Sequence, residues 1–306
     1  MIRPEQFHDY PLTKQVFQTV NKNYSLFAKT YIYILDNFDV EYLTFCEEIL
    51  NILQQKSDEK SWLEKCVKAF VKYSHEYLVL QTKLNKTKKY LHTSFCEVND
   101  SVYQNQVMDE YYLDGLLLSQ FLWPNHYKMG RYFLEQRNSS SSSSEILDVP
   151  SGAGIYSYFV SRYFKFRRLF SIDISPYASS YTRSLVSSAA DRRVNFMLTD
   201  VFDFDEDCQF DLIVCGELLE HLESPERLLE FLGARLKQDG TLFLTTAIYA
   251  AAIDHIYLFH NVNEVRSMLG QHYKICSELV LPVSLESDCP EMGEIPINYA
   301  CVLKKL

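Results

Sequence analysis

The chain has 306 residues, 47% of them hydrophobic, and a formal net charge of −10. That length holds one large domain or two modest ones around a real core. The surplus acid sits late, since residues 1–137 carry 16 Lys and Arg against 17 Asp and Glu while residues 138–306 carry 14 against 23, which argues against a phosphate-tracking surface on the later part.

No apolar run is long enough to span a bilayer, because the longest candidate, Leu242 to Phe259, is broken by Thr245, Thr246, Asp254 and His255. The opening MIRPEQFHDY lacks the apolar core of a secretory signal. Eight cysteines, at 46, 66, 96, 208, 215, 276, 289 and 301, form no CxxC pair, so reduced thiols in a cytoplasmic protein are the expectation.

Residues 1–137 are nearly free of glycine, and their apolar residues recur at helical spacing: Val16, Val20, Phe27 and Ile34, then Leu43, Cys46, Ile49, Leu50 and Leu53. This predicts an all-α N-terminal domain, with Pro124 opening a fresh helix after FLW. Its last stretch, Tyr111 to Phe133, carries Tyr111, Tyr112, Trp123 and His126. These rings suit a planar or hydrophobic acceptor, and equally a helical core. A polar run, Asn138 to Ser144, reads as a serine-rich linker.

From residue 145 the pattern alternates: strand EILDV, helix IYSYFVSRYF, strand RLFSID, helix SPYASSYTRSLVSS, strands VNFMLTD and FDLIVC, helix SPERLLEFLGARL, strand GTLFLTTA. Strands separated by helices imply an α/β, Rossmann-like parallel sheet. The runs KICSELVLPVS and INYACVLKK read as a closing antiparallel hairpin. A strand ending at Asp148 runs into Gly152 and Gly154, and a helix begins near Tyr156, so the backbone there can approach a ligand and the helix start can offer amide hydrogens. Asp173, 19 residues after Gly154, ends the next strand; it either accepts hydrogen bonds from a ribose or caps the helix near Pro176. With Asp200 after the third strand, three carboxylates, Asp148, Asp173 and Asp200, are expected around one crevice.

EILDVPSGAGIY, SIDIS, LTDVFDF and FDLIVCGELLEHLESPERLLEFLGARLKQDGTLFLTT together closely resemble the class I S-adenosylmethionine-dependent methyltransferases, over residues 145–304 or so. The resemblance implies a seven-stranded sheet with its last strand antiparallel, in an S-adenosylmethionine-binding domain at 145–306. It implies Gly152 and Gly154 along the methionine part of the cofactor, Asp173 on the ribose, and Asp200 with Val201 at the adenine. Asp148, Tyr156, Ile174 and Cys215 complete the expected cofactor set. Pro150 stands where the family has its first glycine, fixing φ and removing an amide donor.

Methyl transfer from a sulfonium requires an acceptor held in line with water excluded. GELLEHLESP supplies Glu217, Glu220 and His221, which share a face if the segment is helical, and His255 follows the fifth strand. His221 and His255, with Glu217, are the expected catalytic groups, because imidazole titrates near neutral pH. Glu217, Glu220, His221 and His255 also make a donor set for a divalent metal. ELLEH with IDHIYLFHNVNEV resembles the metal-binding segments of small-RNA 3′-terminal 2′-O-methyltransferases. The favoured reading is methyl transfer to a small-molecule acceptor (O, N or activated C) in biosynthetic or secondary metabolism. In it the helical domain at 1–137 acts as a lid, substrate wall or homodimer surface, without nucleic acid or membrane. The alternatives are a metal-dependent RNA 2′-O-methyltransferase and a non-catalytic partner that keeps the fold.

Overall fold

The computed structural model describes residues 1–186, 193–206, 208–284 and 294–306. Helices fill the first part: α1 (Pro11–Asn23), α2 (Ala28–Asn37), α3 (Val40–Lys56), α4 (Trp62–Thr87), the short α5 (Phe95–Val98), α6 (Leu113–Leu122) and α7 (Pro124–Leu134). Proline at the first position of α1 and α7 loses no hydrogen bond, since that amide has no partner within a helix. Asp39 caps α3, its carboxylate accepting the Glu41 amide hydrogen at 3.1 Å. The apolar stripe is buried as its spacing requires, from Val16 and Val20 through Ile34, Leu43, Cys46, Ile49 and Leu50; Leu53 is half-buried. Between α5 and α6 the chain makes two π-helical turns, Asn99–Tyr103 and Met108–Tyr112.

The second part is a seven-stranded sheet. Its strands are β1 (Glu145–Asp148), β2 (Arg168–Asp173), β3 (Val194–Leu198), β4 (Phe210–Gly216), β5 (Leu236–Ile248), β6 (Tyr273–Pro282) and β7 (Ile297–Lys305). Helices α8 (Ile155–Tyr163), α9 (Pro176–Val186), α10 (Pro225–Arg235) and α11 (Val262–Gly270) accompany it. The strand order is β3-β2-β1-β4-β5-β7-β6, parallel from β3 to β5, with β7 antiparallel to both β5 and β6. The expected α/β sheet and closing hairpin are therefore present. Strand β5 begins at Leu236, ahead of the predicted GTLFLTTA run, because Leu236 already pairs with Phe210. The predicted end of α9, at 187–188, lies outside the described residues, as does Cys289.

In the predicted linker, Asn138 and Ser139 close a 3-10 turn (Glu135–Ser139) and Ser144 is buried. Its hydroxyl accepts the Ser141 amide hydrogen at 2.9 Å and its carbonyl accepts that of Arg167 at 2.8 Å. Beyond it, Glu145 opens β1 buried between Arg167 and Arg168.

Helices and sheet share one apolar core. Phe133 of α7 is fully buried, stacked on Phe164 at 4.9 Å between centroids and in contact with Phe243 of β5 at 4.9 Å and Tyr156 of α8 at 5.1 Å. Phe45 of α3 meets Phe159 of α8 at 5.5 Å. Burial of such rings carries both area and geometry-dependent ring contacts. Phe133→Ala is expected to cost about 3–5 kcal/mol, read by urea denaturation. Because the seam joins both parts, far-ultraviolet circular dichroism and Trp fluorescence should shift together; a loss below about 1 kcal/mol, or a shift in only one signal, contradicts a shared core.

Candidate functional site

At the carboxyl end of β1 the chain turns through a cis Val149–Pro150 bond into Ser151, Gly152, Ala153 and Gly154. Gly152 (φ +50°) and Gly154 (φ +83°) are left-handed, a region that L side chains rarely adopt. The two glycines differ in purpose. A Cβ at Gly152 would meet only Leu116, at 4.0 Å, so this backbone faces open space; a Cβ at Gly154 would strike Thr182 of α9 at 3.0 Å. Gly154 is therefore required by helix packing and does not line the cleft. The amide hydrogens expected to face a ligand are largely spent inside the protein. Ser151 donates to the Ile172 carbonyl at 2.9 Å, Gly152 to Asp173 Oδ2 at 2.8 Å and Gly154 to the Ser151 carbonyl at 2.8 Å.

Asp173 is the hinge of this corner. Its Oδ2 takes the Gly152 amide and its Oδ1 the Ser175 amide, both at 2.8 Å. Burial raises its pKa, against these bonds, which favour the charged form. It lines the cleft beside Ile174. Ser175, whose hydroxyl accepts the Ala178 amide hydrogen at 3.4 Å, is the side chain at the start of α9.

The expected ring of three carboxylates is not formed. Asp148 is fully buried, turned from the cleft to accept the Ser157 hydroxyl at 2.5 Å, while Ser157 also bonds Ser171 at 2.8 Å. Burial pushes its pKa up to about 8. Asp200 caps the 3-10 turn Val201–Asp203, accepting the Phe202 amide hydrogen at 2.8 Å, and neither it nor Val201 lines the cleft. Cys215 points into the core with its thiol pKa raised by burial; its neighbour Gly216 reaches the cleft instead. Tyr156 lines the cleft as expected.

After β4 the chain is not a regular helix. Glu217 is left-handed (φ +50°) and Leu219–His221 is a single 3-10 turn, so the shared helical face does not exist. Folding nevertheless gathers Glu220, His221 and His255, whose potential ligand atoms all lie within 4.8 Å of one another; Glu217 falls outside that trio. Glu220 is fully buried, with Oε2 accepting the Thr246 hydroxyl at 2.6 Å and Oε1 the Ala247 amide hydrogen at 3.1 Å. Desolvation, then the Glu217 carboxylate, drives its pKa up.

Each imidazole is oriented by a carbonyl. His255 Nδ1 lies 2.8 Å from the Ala250 carbonyl and His221 Nδ1 3.0 Å from that of Asp254. A carbonyl only accepts, so the Nδ1 atom in each of these bonds is the donor, and Nε2, with no hydrogen bond of its own among the described residues, is left for a ligand or a proton, the arrangement that orients histidine ligands or bases. Burial lowers the His255 pKa to about 4, so that ring is neutral and a weak base.

The opposite wall comes from the helices, and it holds residues that sequence reasoning missed. Tyr103, on the first π turn and not foreseen, places its hydroxyl 2.8 Å from His221 Nδ1; Tyr112, which was expected in the acceptor wall, ends the second turn, lines the cleft and donates to Asp254 Oδ2 at 2.8 Å. Trp123 and His126 line the cleft with ring centroids 5.0 Å apart, and burial lowers the His126 pKa to about 4. Tyr111 is directed elsewhere, donating to the Glu76 carboxylate at 2.9 Å. Asp254 and Glu76 were also unforeseen, although Asp254 is the immediate neighbour of His255. The cleft measures about 440 Å³, the size of a site for a small organic molecule. Buried Glu217 Oε1, Asp254 Oδ1 and Ser74 Oγ on its walls have no hydrogen-bond partner among the described residues.

A family model described as "Methyltransferase domain" matches residues 125–278. The ubiquinone biosynthesis O-methyltransferase of Coxiella burnetii (strain Dugway 5J108-111) is 39% identical over 54 residues, 17% of this chain and 23% of that protein. Its counterpart from Xanthomonas campestris pv. campestris (strain B100) is 32% identical over 107 residues, 34% and 43% of the two chains. The match thus spans less than half of these relatives. The N-methyltransferase NodS from Bradyrhizobium japonicum WM9, solved with S-adenosyl-L-homocysteine, superposes with TM-score 0.50 at 16% identity, over 70% of this chain and 99% of that one, a likeness of fold. The sheet order, the glycine turn held by Asp173 and the matched domain agree: this chain belongs to the methyltransferase domain family, as a class I S-adenosylmethionine-dependent methyltransferase.

Proposed function

We propose that the protein methylates a small-molecule acceptor inside the cleft, in a biosynthetic or secondary pathway. The observation that carries this reading is the enclosure. The Gly152 backbone, Asp173 and His221 line the same 440 Å³ space, which the helices of residues 1–137 cover. S-adenosylmethionine supplies an electrophilic methyl group on a positively charged sulfur. Ser151 and Gly152 would pass along its methionine part, Asp173 would accept from its ribose, and Ile174 would pack beside it. Glu217 Oε1, buried without a partner among the described residues, is an acceptor for an ammonium group.

His221 is the better base, because Nδ1 is fixed and Nε2 is free, whereas burial weakens His255. The helices exclude water from the reacting atoms. An RNA acceptor is disfavoured, since no Lys or Arg lines the cleft among the described residues. A fold without catalysis is disfavoured by the unpartnered buried acceptor atoms, which cost stability unless a ligand meets them.

A divalent metal is a second reading favoured by the trio Glu220, His221 and His255. Two imidazoles and a carboxylate are suitable ligands, and a bound cation there would favour ionisation of an acceptor hydroxyl.

Calorimetric titration with S-adenosyl-L-homocysteine should give binding that Asp173→Ala weakens by about tenfold or more, the effect of losing charged hydrogen bonds. Unchanged affinity in a variant that keeps its Tm, or no binding by the wild type, would sink the cofactor assignment. For the metal, elemental analysis and thermal shift with Mn²⁺ or Zn²⁺ should show a rise in Tm that disappears in both His255→Ala and Glu220→Gln. An equal rise in those variants places the ion elsewhere.

A further inference from the structure

One stretch of α4, Tyr73 to Tyr77, forms a wall that the reaction as outlined does not use. Tyr73, Ser74, Glu76 and Tyr77 all line the cleft. Trp123 lies 5.5 Å from the Tyr73 ring and 5.6 Å from the Tyr77 ring, so three aromatic faces converge. Across from them stands Asp254. Two polar atoms here point to a ligand: Ser74 is 3% exposed and Asp254 2% exposed, both line the cleft, and Ser74 Oγ and Asp254 Oδ1 have no partner among the described residues.

The charges are one-sided. Glu76, Asp173, Glu217 and Asp254 line the cleft, and among the described residues no Lys or Arg does. Burial raises the pKa of Glu76 and Asp173, and at Glu76 it does so against the Tyr111 hydroxyl and Lys72, which stands outside the cleft lining. The cofactor's ribose hydroxyls and its ammonium group account for Asp173 and Glu217. Glu76 and Asp254, together with the rings, remain.

Aromatic faces flanked by carboxylates attract an organic cation, through the ring quadrupole and through charge-assisted hydrogen bonds. Resting on the methyltransferase reading above, we propose that the acceptor is an organic amine, protonated at neutral pH, with an aromatic or other apolar body. The body lies against Tyr73, Tyr77 and Trp123, and the ammonium group donates to Asp254 Oδ1, Ser74 Oγ and the Glu76 carboxylate. A carboxylate, sulfate or phosphate in the same place faces carboxyl groups with nothing to neutralise it, so acidic acceptors are rejected.

The test uses the full chain carrying Trp62→Phe, which leaves Trp123 as the sole tryptophan. Fluorescence titration compares matched triplets that differ only in the terminal group: phenethylamine, 2-phenylethanol and 3-phenylpropionate, and the corresponding indole series. The amine of at least one triplet should bind about tenfold tighter than its alcohol, with the acid weaker still. Glu76→Gln and, separately, Ser74→Ala should each lower amine affinity several-fold while leaving the alcohol unchanged. Alcohol or acid binding as tightly as the amine, or no response to any amine, overturns the proposal. Calorimetry with S-adenosyl-L-homocysteine on the same sample separates the two claims: cofactor binding without amine preference removes only this inference, whereas amine preference without cofactor binding removes the methyltransferase reading.

Discussion

The aromatic seam around Phe133 is the contact on which the rest of the molecule depends. Its stacking on Phe164 and its contacts with Phe243 and Tyr156 fasten the last helix before the sheet to the sheet itself. Without that attachment the carboxyl edge of β1, β2 and β4 would be an open rim. With it, α4, α6 and the two π turns are held over the rim, and an exposed edge becomes one wall of a partly covered cleft. Tyr156 belongs to both arrangements, packing against Phe133 and lining the cleft, so core packing and cleft shape are set by one ring.

Enclosure decides the electrostatics. Carboxyl groups that would be unremarkable on a surface are deprived of water, and several have pKa values raised by that loss. Imidazoles are affected in the opposite sense, and His126 and His255 are held neutral. The same burial therefore turns His255 from a candidate base into a neutral donor atom, and turns acidic side chains into unsatisfied acceptors. Position within the cleft, more than residue type, sets what each group does.

Much of the architecture was legible because parallel strands covered on both faces read as short apolar runs between amphipathic helices. Asp173 was legible for a related reason: it ends β2, and its carboxylate must meet the turn beside it. Asp148 and Asp200 also end or follow strands, yet nothing in the sequence says which way such a side chain leaves the sheet; Asp148 turns to Ser157 and Asp200 to its own backbone turn. Gly154 was read as ligand-facing because glycine permits close approach, but the close approach is by Thr182. Tyr103 escaped notice because a π-helical turn leaves no periodic signal and its partner His221 lies 118 residues away in the chain; Tyr112 was expected in the acceptor wall, but not its partner Asp254, 142 residues away.

The carbonyl that holds His255 has a dynamic consequence. Its Nδ1 hydrogen is directed at Ala250, an acceptor with no proton to exchange, in a buried pocket. A ring held in this way is a dead end for proton conduction. Whatever proton arrives at Nε2 must leave by the side it entered, so this ring cannot serve as a link in an internal wire.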